Sequence, residues 1–535
     1  MSAGSGIYFG DAALANSEGN LAMRRGDPSA AEALFAQACR IAPQITEFAI
    51  NQAIALATLE RHEAALSVLD RHASACAGDA RYHSVRANSL RALRRLAESA
   101  QSYDRSLALA PQGAKALHGR ARVAMERGEA DAVARFEAAL AVNTQDPEAW
   151  LGLAEALDAA GETTRARDIA AQLVAQAPHW VEALRFLSQL RLAAGEGHFA
   201  AHFAEAERLR PSDPDLARAH VTVLDAHDLH AEALAVAAAA HARMPGDPAM
   251  ALLEAVQASS AGEDARATAL FAELALETPE RWLHEARHCL RIGELARCEA
   301  LLEPVIAQAP GNVSAWAMRD LVWRLAADAR ADWLHGQDGL VRMLALPDAA
   351  AVVAEAVPLL HWLHDKSAFP LGQSLRGGTQ TRGNLFDRAE PELARLHSAL
   401  IAALEDYRAG LAPADPSHPL LRHREGGWAI TGSWSVRLAG GGDHHAPHLH
   451  PQGLLSSACY LLLPDAVGEE AQAGWIELGR PAPDLRLDLP PLYTLEPKAG
   501  HLALFPSTLY HGTRPFRLGQ RMTVAFDVTL AGAGH

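Results

Sequence analysis

From about residue 10 to about residue 325, apolar residues recur three or four positions apart on a background of Ala, Leu, Arg and Glu, which predicts a long run of amphipathic helices. Prolines punctuate that run. Pro43, Pro111, Pro178, Pro211, Pro245, Pro279 and Pro310 each follow an apolar helical segment, and the breakers Ala77-Gly78-Asp79 and Gln145-Asp146-Pro147 fall midway through the two longest gaps. The step is about 34 residues, shortening to about 31 between Pro279 and Pro310, the length of a two-helix unit. In PEAWLGLAEALDAAGETTRARDIAAQLVAQAP, Trp150, Leu153, Ala154 and Leu157 mark the first helix and Gly161 the turn. Ala166 and Ala170 are small where two helices must approach, and Pro178 ends the second helix. Such a unit cannot bury its own apolar face, so stacking is obligatory and a concave groove is expected.

Past about residue 330 the pattern changes. Helical spacing continues through VRMLALPDAAAVVAEAVPLLHWLH and PELARLHSALIAALEDYRAGL. Between them FPLGQSLRGGTQTRGNLF, residues 369–386, has glycines but no following Gly-Lys-Ser/Thr, so it is no phosphate loop. Its Arg376, Thr379, Gln380, Thr381 and Arg382 form a polar loop that either covers a pocket mouth or joins two helices. From Gly427 the segments are short, β-branched or aromatic, and bounded by Gly, Pro and Asp: WAITGSWSVRL, LLSSACYLLL, GWIEL, HLALF and RMTVAFDVTL. About 110 residues of this kind predict a compact β-sandwich or barrel. The expected architecture is therefore multidomain α + β: an all-α solenoid over 1–326, helices packing on the barrel over 327–425, and a β core over 426–535.

Composition narrows the function. The chain has 535 residues, 49% of them hydrophobic and 21% charged, as expected of a folded protein of several domains. A net charge of −16 argues against nucleic acid and anionic membrane surfaces as partners. No apolar run reaches the roughly 18–20 residues that span a bilayer. The N-terminal stretch lacks the basic and apolar regions of a secretory signal. The five cysteines are scattered without a CxxC. A cytoplasmic protein is expected.

The candidate chemistry lies in HHAPHLHPQG, residues 444–453. On a strand, residues two apart point the same way, so His448 and His450 aim at one place. His511, in FPSTLYHGTRPF, is a third imidazole from a distant strand, and together the three can enclose a metal ion. Arg521 opens the last strand, where a guanidinium can grip a carboxylate bidentately. His444 and His445 are expected to be ordinary loop residues. Trp434, Ser435 and Arg437 lie on the strand before the histidines; Arg437 is the candidate anion contact and Trp434 is expected in the core. Cys459 alternates with Tyr460 and should face the other way.

These residues carry two resemblances. The 34-residue period resembles the tetratricopeptide family, whose concave faces dock peptides or proteins; a spacer or assembly role is the alternative. The blocks GGTQTRGNLF, GSWSVRL, HLHPQGLLSSACYLLLP, AGWIELG, GHLALFPSTLYHGTRPF and RMTVAFDV resemble the bacterial 2-oxoglutarate/Fe(II)-dependent oxygenases that join such repeats to a double-stranded β-helix (jelly-roll, cupin-like). That resemblance implies Fe(II) as cofactor, and 2-oxoglutarate and O2 as co-substrates. It implies His448 and His511 as metal ligands, and Arg521 with Thr523 and Tyr460 as the cradle for the far carboxylate of 2-oxoglutarate. One departure stands out: the family's His-X-Asp/Glu pair is His-X-His here. Either His450 ligates, giving a three-histidine centre, or it turns away, leaving two histidines as in the similar aspartyl/asparaginyl β-hydroxylases. Asp443, Asp465, Glu477 and Asp527 are the carboxylates that could fold in. Three functions follow: a hydroxylase of a protein or peptide recruited by the repeats, a small-molecule oxygenase using the repeats for assembly, or a non-catalytic metal-binding adaptor.

Overall fold

The computed structural model describes residues 4–367, 374–465, 467 and 472–531, so Phe369 to Gln373 of the polar loop lie outside the described residues. The chain divides into two compact units, residues 1–169 with 387–389, and residues 170–386 with 390–535.

The first unit is built of helices that pack in sequence order, from Gly4–Arg24 to Pro147–Ala160. Their starts share one device. Asp27, Asp79 and Asp146 sit just before a helix and accept hydrogen bonds from the free amides of its first turn, which are otherwise unsatisfied. Pro28 and Pro147 follow at the first helical position, where the missing N–H costs nothing. Gly161 ends its helix at φ +90°, the left-handed cap that glycine adopts freely. Ala166 is fully buried, as a close helix approach requires. At Gly152 the approach is closer still, because an added Cβ would lie 2.3 Å from the buried Phe136 ring.

The second unit opens with the same helical pairs, from Val181–Ala193 to Val313–Leu325, again capped by Asp213-Pro214, Asp247-Pro248 and Thr278-Pro279. Pro279 therefore begins a helix, whereas the sequence pattern placed it at the close of one. An antiparallel β region follows. Its strands are β1 (Arg342–Ala345), β2 (Leu375–Arg376), β3 (Thr379–Gln380), β4 (Trp428–Leu438), β5 (His444–His445), β6 (Leu455–Leu462), β7 (Ile476–Leu478), β8 (Tyr493–Leu495), β9 (His501–Pro506), β10 (His511–Thr513) and β11 (Arg521–Leu530). Six strands form one sheet in the order β1-β9-β6-β11-β4-β3, three form a second in the order β10-β7-β8, and β2 pairs with β5.

The strand β1 corrects the helical reading of VRMLAL. Pro347 and Asp348, the latter at φ 50°, separate that segment from the helix Ala349–Asp365, and Arg342–Ala345 instead pairs with β9 along the sheet edge. The segment 327–425 thus supplies strands β1, β2 and β3 as well as helices.

The large sheet has two unlike faces. The helices Ala349–Asp365 and Pro391–Ala409 cover one, packing Leu360, Leu400 and Leu404 against Cys459, Leu504, Val524 and Phe526. Strand alternation sends Tyr460, Ala503 and Phe505 to the other. A further core joins the last repeat helices to the β region: Cys289, Leu302, Trp316, Met318 and Trp323 pack with Ala482, Leu485 and Tyr510.

Gly152→Val should force a branched side chain into the Phe136 ring and cost about 1–3 kcal/mol. Urea unfolding should show a lower midpoint for the earliest transition; an unchanged curve would mean that the two helices do not meet there.

Candidate metal centre

The segment bearing His448 and His450 is extended but is not a regular strand. It is tied to β10 by one bridge, in which the amide of each of His448 and His511 donates to the other's carbonyl at 3.0 Å. Extended backbone still puts His448 and His450 on one side. The ligand atoms of His448, His450 and His511 lie within 4.8 Å of one another.

Each ring is held by its Nδ1. His448 Nδ1 donates to the Ala446 carbonyl at 2.9 Å, His511 Nδ1 to the Leu509 carbonyl at 3.3 Å, and His450 Nδ1 to the Asp527 carboxylate at 2.6 Å. Carbonyls and carboxylates only accept, so Nδ1 carries the proton in all three. With Nδ1 as donor, each ring in its neutral form presents Nε2 as a lone pair. The Nε2 atoms of His448 and His450 stand 3.1 Å apart, a spacing that either a proton or a cation between them satisfies. At a metal–nitrogen bond of about 2.1 Å, two ligands at right angles stand about 3 Å apart, so the donor set fits an imidazole-loving divalent metal. Burial, with the neighbouring imidazoles, lowers the His448 pKa to about 3 and holds His511 well below its ordinary value. Both rings are therefore neutral near pH 7, with Nε2 free, as ligands must be.

Beside this cluster lies a buried cation with no counter-charge. Arg521 is 3% exposed, its Nη1 donates to Thr513 Oγ1 at 2.7 Å, and its guanidinium lies 5.0 Å from the centre of the Tyr460 ring. Among the described residues no carboxylate pairs with it, and Arg521 Nε and Tyr460 Oη have no hydrogen-bond partner. Burial lowers its pKa. An unpaired buried charge costs several kcal/mol, a cost that a bound anion would offset. The lining brings together His448, His450, His511, Arg521, Thr523 and Trp434.

Other expected residues fall elsewhere. Arg437 alternates with Val436 and pairs with Asp365 at 2.7 Å, so it is not brought to the cluster. Glu477 is taken up by Arg480 and Arg514. Asp443 accepts from the Ala439 amide. Trp434, expected in the core, lines the site with its ring edge toward His450 at 5.3 Å. His444, expected in a loop, lies in β5 opposite Arg376, its Nδ1 donating to the Gly442 carbonyl. His445, expected to be like it, stacks on His448 at 5.7 Å and lines the site. Tyr460 and Cys459 face opposite ways, as alternation requires.

A larger cavity of about 700 Å³ lies within the same unit. Repeat-helix residues Asp225, Glu280, Leu283, Arg287 and Met318 form one part of its wall, and Leu449, Asp484 and Tyr510 form another. Leu449 sits between His448 and His450, and Tyr510 precedes His511. Arg287 and Arg291 both donate to Asp484, at 2.7 and 2.5 Å, and Arg287 Nη1 also donates to Tyr510 Oη at 3.2 Å.

A family model described as "Putative 2OG-Fe(II) oxygenase" matches residues 432–527, and two tetratricopeptide models match residues 129–190 and 16–80. The chain joins tetratricopeptide repeats to a C-terminal domain of that oxygenase family. No curated protein matches it. Among solved structures, Pseudomonas aeruginosa pilF is 20% identical over 39% of this chain and 96% of its own, with a TM-score of 0.34. TTC0263 of Thermus thermophilus is 23% identical over 33% and 97%, with a TM-score of 0.30. YrrB, described as a repeat protein with an unusual peptide-binding site, is 17% identical over 35% and 96%, with a TM-score of 0.29. No helix among the described residues of this tetratricopeptide protein is long and apolar enough to cross a membrane.

Burial raises the Asp484 carboxyl, but the guanidiniums of Arg287 and Arg291 outweigh that and hold it below its ordinary value. A depressed carboxyl stabilises the fold above the unfolded pKa of about 3.9, and that stability is lost as pH falls through the folded value. Asp484→Asn should therefore cost about 2 kcal/mol at pH 7, below the range for fully buried pairs because the Asp484 side chain keeps 28% exposure. The gap between wild type and variant should close in denaturation curves taken below about pH 4; a gap that persists in acid would contradict the ion-pair account.

Proposed function

We propose that this protein is a 2-oxoglutarate- and Fe(II)-dependent oxygenase that hydroxylates a protein or peptide held by the repeat helices, its β region being a double-stranded β-helix. The observation that carries the reading is the buried, unpaired Arg521 beside three converging imidazole lone pairs. A metal explains the lone pairs, and a diacid explains the guanidinium.

In this reading His448, His450 and His511 hold the metal. Arg521 binds the far carboxylate of 2-oxoglutarate, and that pairing offsets the cost of its burial. Thr523 lines the same wall two residues along the strand, and the Tyr460 hydroxyl, which lacks a partner, donates to the same carboxylate. Bound iron and 2-oxoglutarate together supply the oxidising chemistry with O2, releasing succinate and CO2. The chain's part is to orient the diacid and exclude bulk water. The free space at the site is about 40 Å³, enough for a few waters, so diacid entry requires lining side chains such as Trp434 to give way.

The 700 Å³ cavity supports a macromolecular substrate. It is of ligand-binding size, and its walls come from repeat helices as well as from Leu449 and Tyr510, which adjoin the metal ligands in sequence and, by alternation, face the other way. A peptide held there is anchored by the repeats behind the ligand-bearing segments and must extend round them to reach the metal.

Arg521→Met should reduce succinate formation from 2-oxoglutarate at least 100-fold while leaving Fe(II) uptake within about threefold of wild type, since the anion contact alone is lost. Retention of 2-oxoglutarate turnover by this variant, or no succinate from the iron-loaded wild type, would overturn the proposal.

A further inference from the structure

The exchange of an acidic ligand for His450 leaves a charge to be found. Two of the three imidazoles donate their Nδ1 protons to neutral carbonyls, those of Ala446 and Leu509. Only His450, the one standing where an acidic residue is otherwise expected, donates to a carboxylate.

Asp527 is placed for this. It lies on β11 on the same side as Arg521, Thr523 and Ala525, at the point where the register of β11 with β4 shifts. The hydrogen bond with His450 is sheltered, with side-chain exposures of 14% for the imidazole and 20% for the carboxylate. The Trp434 ring packs against that of His450, centroids 5.3 Å apart and planes at 60°.

Resting on the metal-centre reading, we infer that Asp527 is a positioning residue that supplies, through His450, the orientation and negative charge that a directly bound Asp or Glu would bring to the metal. A dication with three neutral imidazoles and Asp527 carries the same net charge as one with two imidazoles and a bound carboxylate. The hydrogen bond fixes the His450 tautomer, aims Nε2 at the other two lone pairs and makes that nitrogen a stronger donor. His450 therefore ligates; it does not turn away.

The test is Co(II) binding to the full-length chain, followed by calorimetry and by the visible d–d spectrum, neither of which needs turnover. Asp527→Ala should weaken Co(II) binding about 10–100-fold. Asp527→Asn keeps an acceptor for Nδ1–H without the charge and should fall between it and wild type, which guards against reading misfolding as lost affinity. His450→Ala should weaken binding at least as much as Asp527→Ala, and adding Asp527→Ala to it should cost nothing further, because the carboxylate acts only through the ring. Binding by Asp527→Ala within threefold of wild type, or an undiminished further loss in the His450→Ala background, would overturn the inference alone. A wild-type chain that takes up no Co(II) would overturn the metal centre and this inference together.

Discussion

A neutral imidazole has one donor nitrogen and one lone pair, so fixing the donor fixes where the lone pair points. That constraint organises the site. Ala446, Leu509 and Asp527 each take one Nδ1 proton, and the backbone bridge between His448 and His511 keeps two of the rings in register. The remaining lone pairs have nowhere to go but toward each other. Their close approach and the unpaired guanidinium of Arg521 fall in one small pocket, and a cation and an anion arriving together would satisfy both. Separately, either feature would be an oddity of packing; side by side they describe one ligand pair.

The repeats are not a detachable preface to this site. In the second unit, residues of the last repeat helices and of the β region share a single apolar core, with Met318 and Trp323 against Leu485 and Tyr510. The buried pairs of Arg287 and Arg291 with Asp484 pin the two together, and Arg287 reaches the hydroxyl of Tyr510, next to His511. A cut at the end of the repeat pattern, near residue 326, would strip these partners and leave buried charge and apolar surface exposed. The strand that leads to the distal histidine is thus braced by a repeat helix. Whatever occupies the cavity between them touches residues adjoining all three ligands.

Much of this was legible from residue order. The 34-residue step, Gly161 at the turn and the five strong β segments need only local pattern, and the structure has each of them. The alternation of Cys459 with Tyr460 is a strand property and holds. What escaped reading depends on distant partners. VRMLAL has the apolar content of a helix, and only the open edge of β9 makes it a strand. Arg437 had the right chemistry for an anion, but its strand parity turns it to Asp365. His444 and His445 read as loop residues, but both lie in β5, and folding stacks His445 on His448. Asp527, 77 residues from His450, carried no local signal beyond sharing strand parity with Arg521; its role depends on a register shift in β11 that sequence does not announce.

The central claim is that one site holds a metal and a diacid together. It is tested most directly by adding 2-oxoglutarate, without oxygen, to the full-length chain loaded with Fe(II), and recording the visible absorption spectrum. Chelation of iron by the keto acid should produce a charge-transfer band that grows saturably with 2-oxoglutarate. Iron bound tightly by a chain whose spectrum stays unchanged as the diacid is raised would contradict the account.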